Sequence, residues 1–199
     1  TRRSSDLAIG RTGRVHHRRR NTGIAVTKLN ANLAEDVYSI ATIGTRGTSP
    51  NNHEGRSGWT FEKYFNPPTS GDTSQGVENP WYNPTSQTFD ANYYFTQTGI
   101  AKPDWFFINL GINDVFDETT DDELQQEITK IKNYCDSMIA SMNSASESTK
   151  IGICLTIPPN HSQDAFGKEY GCYQTRDRYK RNNVLLVNSL IKEYDGREK

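Results

Sequence analysis

The chain is poor in the features that assign a protein by composition alone. Among its 199 residues only three are cysteine and two are methionine. So sparse and odd a set of cysteines does not build a disulfide framework. Cys135 and Cys154 sit inside apolar patterns and read as small packed hydrophobes. No apolar run approaches the ~18 residues that span a bilayer, and the mean hydropathy is −0.81. No basic stretch followed by an apolar one marks a secretory signal in this stretch, so the localisation stays open. The formal net charge is −1, which excludes a wholesale nucleic-acid binder. Neither a metal nor a cofactor is expected, and no membrane partner.

What is present is enough chain for one domain with a sizeable core. Charge is unevenly spread along it. Residues 1–20 hold seven Arg and one Asp, a net of +6, and the remaining 179 residues carry a net of −7. A basic arm of this kind is most often solvated. Asp6-Leu-Ala-Ile9 reads as a strand ending at Gly10, residues 25–33 as a helix through Val26, Leu29 and Leu33, and Val37–Ile43 as a second strand. Residues 44–58 read as loop, Ser57–Thr60 as the opening of a short helix to Phe65, and 66–88 as a second long loop. A helix is read over Phe89–Thr98. Asp104–Leu110 is the strongest strand, apolar on both faces as a central parallel strand would be. Thr120-Asp-Asp-Glu123 is a capping box for a helix carrying Leu124, Ile128, Ile131, Cys135, Met138 and Met142. Lys150–Ile157 reads as a strand stopped by Pro158 and Pro159. A last helix over Thr175–Tyr194 places Val184, Val187, Leu190, Ile191 and Tyr194 on one face and ends at Gly196.

Alternating strands and helices imply a parallel sheet with helices on both faces. Ligands of such sheets bind at the carboxyl ends of the strands. Two segments at those ends are specific. One is Asn52-His-Glu-Gly-Arg-Ser-Gly-Trp-Thr60, and the other is Leu110-Gly-Ile-Asn-Asp114. Together they resemble the second and third blocks of the SGNH (GDSL-like) hydrolase family of esterases and lipases. Gln163-Asp-Ala-Phe-Gly167 with Tyr179-Lys-Arg-Asn182 resembles bacterial members, and the likeness runs over roughly residues 38–194. A lone Gly-x-Asn-Asp is also a common strand-to-loop turn; its specificity comes from the pairing with Arg-Ser-Gly-Trp-Thr one strand earlier.

The resemblance implies a three-layer α/β/α sandwich with a parallel sheet (the flavodoxin-like SGNH hydrolase fold), and a Ser-type acyl-enzyme mechanism on acyl esters, carbohydrate O-acetyl esters among them. It implies that the Gly58 N–H and the Asn113 amide form the oxyanion hole. The chemistry suits those types: a glycine lets the backbone N–H approach, a short amide aims an N–H₂, and each donor is worth roughly 10²–10³ in rate. Asp114 is read as holding the Asn113 loop by hydrogen bonds to backbone, and His53 as a loop hydrogen-bonder. His161, in a Pro-rich loop, and Trp59 are candidate substrate-binding residues. Trp59, Trp81, Tyr82, Tyr93 and Tyr94 are either a sugar-stacking wall or packing residues.

Two blocks depart from the family. Where Gly-Asp-Ser is expected after the first strand, the chain reads Ile9-Gly10-Arg11-Thr12-Gly13, so Thr12 is a positional stand-in for the nucleophile. Arg11–Gly23 carries five of the arm's Arg with His16 and His17, and family-like sequence resumes by about Thr27. That pattern is read as an out-of-frame stretch within a single domain spanning 1–199. The closing Asp-x-x-His block and a fifth strand are absent from residues 1–199, so the domain reads as C-terminally truncated and lacking its final strand. An uncovered apolar patch around Val184, Val187 and Ile191 is the expected consequence. The chain as given is expected to turn over little. Three readings follow: an esterase fragment, a catalytically dead glycan-binding relative, and an α/β domain with a nucleic-acid-binding arm. The arm lacks the interleaved aromatics of a single-strand binder, which ranks that reading last. The expected partner is a small-molecule or carbohydrate ester.

Overall fold

The computed structural model describes residues 41–48, 52–56, 58–68, 78–159, 161–170 and 174–197. The readings for Asp6–Ile9, residues 25–33, most of Val37–Ile43, Thr12 and the Arg-rich stretch lie outside the described residues.

Among the described residues the element order begins with helix α1, Phe61–Phe65, followed by the strands β1, Tyr82–Asn83, and β2, Thr88–Phe89. Helix α2, Ala91–Thr98, strand β3, Trp105–Ile108, and helix α3, Asp121–Ala145, come next. Strand β4, Lys150–Ile153, and helices α4, Gln163–Tyr170, and α5, Arg176–Tyr194, complete it. β3 and β4 pair in parallel, with Phe106 opposite Ile151 and Ile108 opposite Ile153. A parallel pair needs a crossover, and α3 supplies it. β1 and β2 form an antiparallel hairpin at the end of the 66–88 segment read from sequence as loop, and Phe89, read as the start of the next helix, lies in β2. Asn83 closes its turn: its Oδ1 accepts the Thr85 N–H at 2.9 Å and its carbonyl accepts the Gln87 N–H at 2.8 Å.

The helices begin where side chains can satisfy their open N–H groups. Asp90 accepts from Tyr93 N at the start of α2. Thr120 and Glu123 form the reciprocal capping box of α3, and Thr175 accepts from Arg178 N before α5. The stripe Leu124, Ile128, Ile131, Cys135, Met138, Met142 of α3 is buried. It packs with Phe106 and Ile108 of β3 and with the aromatic residues of α1, β2 and α2 in one core.

Four details depart from the sequence reading. β3 buries Phe106 and Ile108, while Trp105 on its other face is 39% exposed; there the Trp105 ring stacks on Phe107 at 5.6 Å. β4 ends at Ile153, short of the strand read over Lys150–Ile157, and residues 163–170, given no element from the sequence, are helical. α5 buries Tyr179, Asn182, Asn183, Leu186 and Leu190, so of the face read as Val184, Val187, Leu190, Ile191 and Tyr194 it is Leu190 alone that is fully buried. Hydrogen bonds explain the rotation. Asn182 Nδ2 donates to the carbonyls of Val115 at 2.7 Å and Glu118 at 2.9 Å, and Asn183 Oδ1 accepts from the Thr156 hydroxyl. Val184 and Ile191 are consequently exposed.

Candidate active site

The loop carrying Gly58 is built around a buried ion pair. Glu54 and Arg56 are each 1% exposed, with Arg56 Nη1 3.2 Å from Glu54 Oε2. The guanidinium also donates to the Glu54 carbonyl at 2.9 Å and, through Nε, to the Glu78 carbonyl at 2.9 Å. The carboxylate accepts the Tyr94 hydroxyl at 2.7 Å and the Thr45 hydroxyl at 3.0 Å. It also accepts the Thr45 backbone N–H. Tyr64 of α1 donates to the Glu54 carbonyl at 3.2 Å. Burial, the largest cause, pushes both tyrosine hydroxyls well above their ordinary range, so they stay protonated donors. A buried charge needs this many partners to offset its lost hydration.

Arg56 also lies over the Trp59 ring, 4.9 Å from its centroid, and that ring meets Tyr64 edge-on at 4.8 Å. Trp59 is 1% exposed. Its indole therefore lies in the core and presents no stacking face to a substrate. Trp81 and Tyr94 are interior too, stacked with 3.6 Å between ring centroids. The sugar-wall alternative loses these rings. His53 closes the loop: it exchanges backbone hydrogen bonds with Arg46 at 3.1 and 2.8 Å, and its Nδ1 accepts the Gly55 N–H at 3.1 Å.

Gly58 takes φ 78, a conformation that other residues adopt only with strain. Gly111, which opens the second loop, takes φ +105 and has a Leu186 methyl 3.0 Å from where a Cβ would stand. That turn brings the next residues onto the first loop. Asn113 Nδ2 donates to the Trp59 carbonyl at 2.8 Å. Asp114 Oδ1 accepts the Phe61 N–H at 2.8 Å. The two segments singled out from sequence are thereby stitched side by side, with Asn113 bonded to the residue that follows Gly58. Asn182 of α5 braces the far end of the second loop.

Asp114 is unusual within this arrangement. Burial raises its carboxyl to about 7, with a smaller contribution from the charge of Glu127. Its Oδ2 is buried without a hydrogen-bond partner. His161 is exposed in the loop ahead of α4. No group of three or more His, Cys, Asp or Glu among the described residues is placed to hold a metal ion. No helix among them is long and apolar enough to cross a membrane.

The sequence reading missed the Glu54–Arg56 pair. The signal available was two opposite charges flanking Gly55 in a loop with aromatic neighbours.

Comparison with known proteins adds one finding. The family model described as GDSL-like Lipase/Acylhydrolase matches residues 13–197. The matched range contains Gly58, Asn113 and His161 and begins one residue after Thr12. Neither the curated proteins nor the solved structures give a match.

Proposed function

The chain belongs to the GDSL-like lipase/acylhydrolase family, and from that membership we propose how it handles an acyl ester. The family supports hydrolysis of ester bonds and an SGNH α/β hydrolase fold. In our reading the β3–β4 pair belongs to the middle layer of a three-layer α/β/α sandwich. The substrate carbonyl sits between the Gly58 N–H and the Asn113 side-chain amide. As a hydroxyl adds to that carbonyl, negative charge grows on its oxygen, and the two donors stabilise it in place. Collapse of the tetrahedral adduct expels the alcohol and leaves an acyl-enzyme, which water then clears. The observation that carries this reading is the hydrogen bond from Asn113 to the carbonyl of Trp59. It supports one shared cleft for Asn113 and Gly58.

Thr12 takes the nucleophile's position in this proposal. Its hydroxyl is crowded by the added methyl and follows Arg11 where the family has Asp. A hydroxyl without an adjacent base is a weak nucleophile at neutral pH. Turnover is therefore held to the level that an oxyanion hole and binding reach without a complete triad, about 10³–10⁴ over water. His161 belongs to the substrate side, in the loop beyond β4. Trp59 serves through its carbonyl rather than its ring. A carbohydrate O-acetyl ester is the proposed substrate.

The test is hydrolysis of p-nitrophenyl acetate and acetate release from an acetylated oligosaccharide. Slow release above the buffer rate from both supports the proposal. An oligosaccharide that binds without losing acetate would favour the dead glycan-binding relative instead.

A further inference from the structure

Two neighbouring residues of one loop hold two points of the other. Asn113 takes the Trp59 carbonyl and Asp114 takes the Phe61 N–H, each at 2.8 Å. The second bond fills a local gap. Phe61 is the first residue of α1, and its N–H has no partner within the helix. Thr60, which precedes it, makes no side-chain capping bond. Asp114 supplies the acceptor from 53 residues away. The segment Gly58-Trp-Thr-Phe61 thus runs between the glycine of the oxyanion pair and the point where Asp114 grips it.

The grip depends on charge. An ionised carboxylate makes a shorter and stronger bond to an amide N–H than a neutral carboxyl does. Asp114 is balanced between the two forms, because its Oδ2 is buried without a partner. Burial and the charge of Glu127 oppose ionisation, while the backbone amides of Phe61, Asp114 and Gly111 favour it. From α3, Glu127 and Tyr134 act on it or are acted on by it. Lys130 is drawn to Glu127 at 2.9 Å. From α1 comes the Phe61 amide, with Glu62 beyond it also acting on Tyr134. Its own loop supplies only the backbone of Gly111 and of Asp114 itself.

We propose that Asp114 is a positioning residue whose charge state sets how closely the Gly58–Phe61 segment is held against Asn113. Ionised, it draws the Phe61 N–H in and keeps the two oxyanion donors in register. Protonated, it loosens the segment and lets the Gly58 N–H drift. This rests on the reading of Gly58 and Asn113 as the oxyanion pair and adds a pH dependence to it. The position of the carboxyl near neutrality puts the change where buffers can follow it.

The experiment is an NMR titration of the full chain between about pH 5 and about pH 9, a window bracketing the ordinary histidine range. It follows the Asp114 carboxyl carbon, the Phe61 and Gly58 amides and the Asn113 side-chain amide. The same series is run on Asp114→Asn, and p-nitrophenyl acetate hydrolysis is measured at each pH. The expected result is one common midpoint near 7 for all four signals, absent from the variant. If the variant does not fold, the four signals of the parent chain decide by themselves. A carboxyl that titrates in the ordinary aspartate range overturns the proposal. So does a carboxyl that titrates near neutrality while Gly58 and Asn113 stay still. Coupled shifts without hydrolysis at any pH overturn the esterase reading and leave the clamp standing. Hydrolysis with unmoved Gly58 and Asn113 signals overturns the clamp alone.

Discussion

The two sides of α3 are finished differently. On one side, Glu54, Arg56, Tyr64, Trp81 and Tyr94 are buried together, and both charges are paired and hydrogen-bonded. On the other, α3, β4 and α5 border an open groove of about 620 Å³ lined by Ile139, Ile151, Ile153, Leu155, Ile191 and Tyr194. Leu155 is 47% exposed there. Lys150 and Cys154 of the second side donate toward β3, so the N–H groups of Ile151 and Ile153 point to the edge of β4 that no other described strand pairs with. The first side shows what a polar interior requires: a partner for every charge, supplied here by residues far apart in sequence. The second shows what a sheet edge leaves where no described strand pairs with it, which is apolar surface uncovered among the described residues. Only the first side borders the loop of Gly58, so perturbations there should reach the site and those at the groove should not.

The largest expected effect lies at the ion pair. Arg56→Met leaves the Glu54 carboxylate buried with its main counter-charge gone, and we expect a loss of about 3–5 kcal/mol in urea unfolding. Replacing both residues by apolar ones of similar volume should cost much less than the single change, because no lone charge then remains. If Arg56→Met unfolds like the parent chain, the interior is wetter than the structure implies and the contrast between the two sides fails.

Next comes the pH dependence of stability. Burial raises the Asp114 carboxyl from its ordinary value of 3.8 to about 7 in the folded chain. The folded state therefore keeps a proton that the unfolded state has already lost. Stability should fall as pH rises from about 4 to about 7 and level off above, by as much as about 4 kcal/mol. Other carboxylates add their own slopes, so the measured quantity is the difference from Asp114→Asn. Matching slopes for the two proteins would place the Asp114 carboxyl in water.

A smaller effect is expected for Tyr94→Phe. It keeps the stack on Trp81 and removes one donor from Glu54, costing about 1–2 kcal/mol in thermal or urea unfolding. Smallest of all is Ile191→Lys at the groove, within about 0.5 kcal/mol of the parent. Its visible consequence should be less self-association at high concentration. A large loss of stability from this change would mean that the groove is covered in solution.

Legibility in the sequence followed the kind of force at work. α3 was readable because one apolar stripe and one capping box act locally and agree with each other. The segments of Gly58 and Asn113 were singled out by their resemblance to two family blocks, and tertiary hydrogen bonds set those segments side by side; the oxyanion role of the two residues remains the proposal. The Glu54–Arg56 pair was not, since charges in a loop read as solvated until tertiary structure brings Tyr94 and Thr45 to them. The hairpin of β1 and β2 was hidden because two-residue strands carry no period. The buried face of α5 was misplaced because Asn182 and Asn183 look solvent-facing to a hydropathy pattern, yet are buried by hydrogen bonds to Val115, Glu118 and Thr156. His161 and the first-block departure at Thr12 were visible as residues, but their roles depend on chemistry that no periodicity carries.

The account turns on Asn113 stabilising charge on a substrate oxygen. The most direct measurement is the hydrolysis rate of p-nitrophenyl acetate by the parent chain and by Asn113→Ala, with folding of both checked by circular dichroism and thermal melting. We expect a folded variant whose rate above buffer falls about 10²-fold or more, the loss that follows removal of one oxyanion donor. A folded Asn113→Ala chain that hydrolyses the ester as fast as its parent would contradict the account.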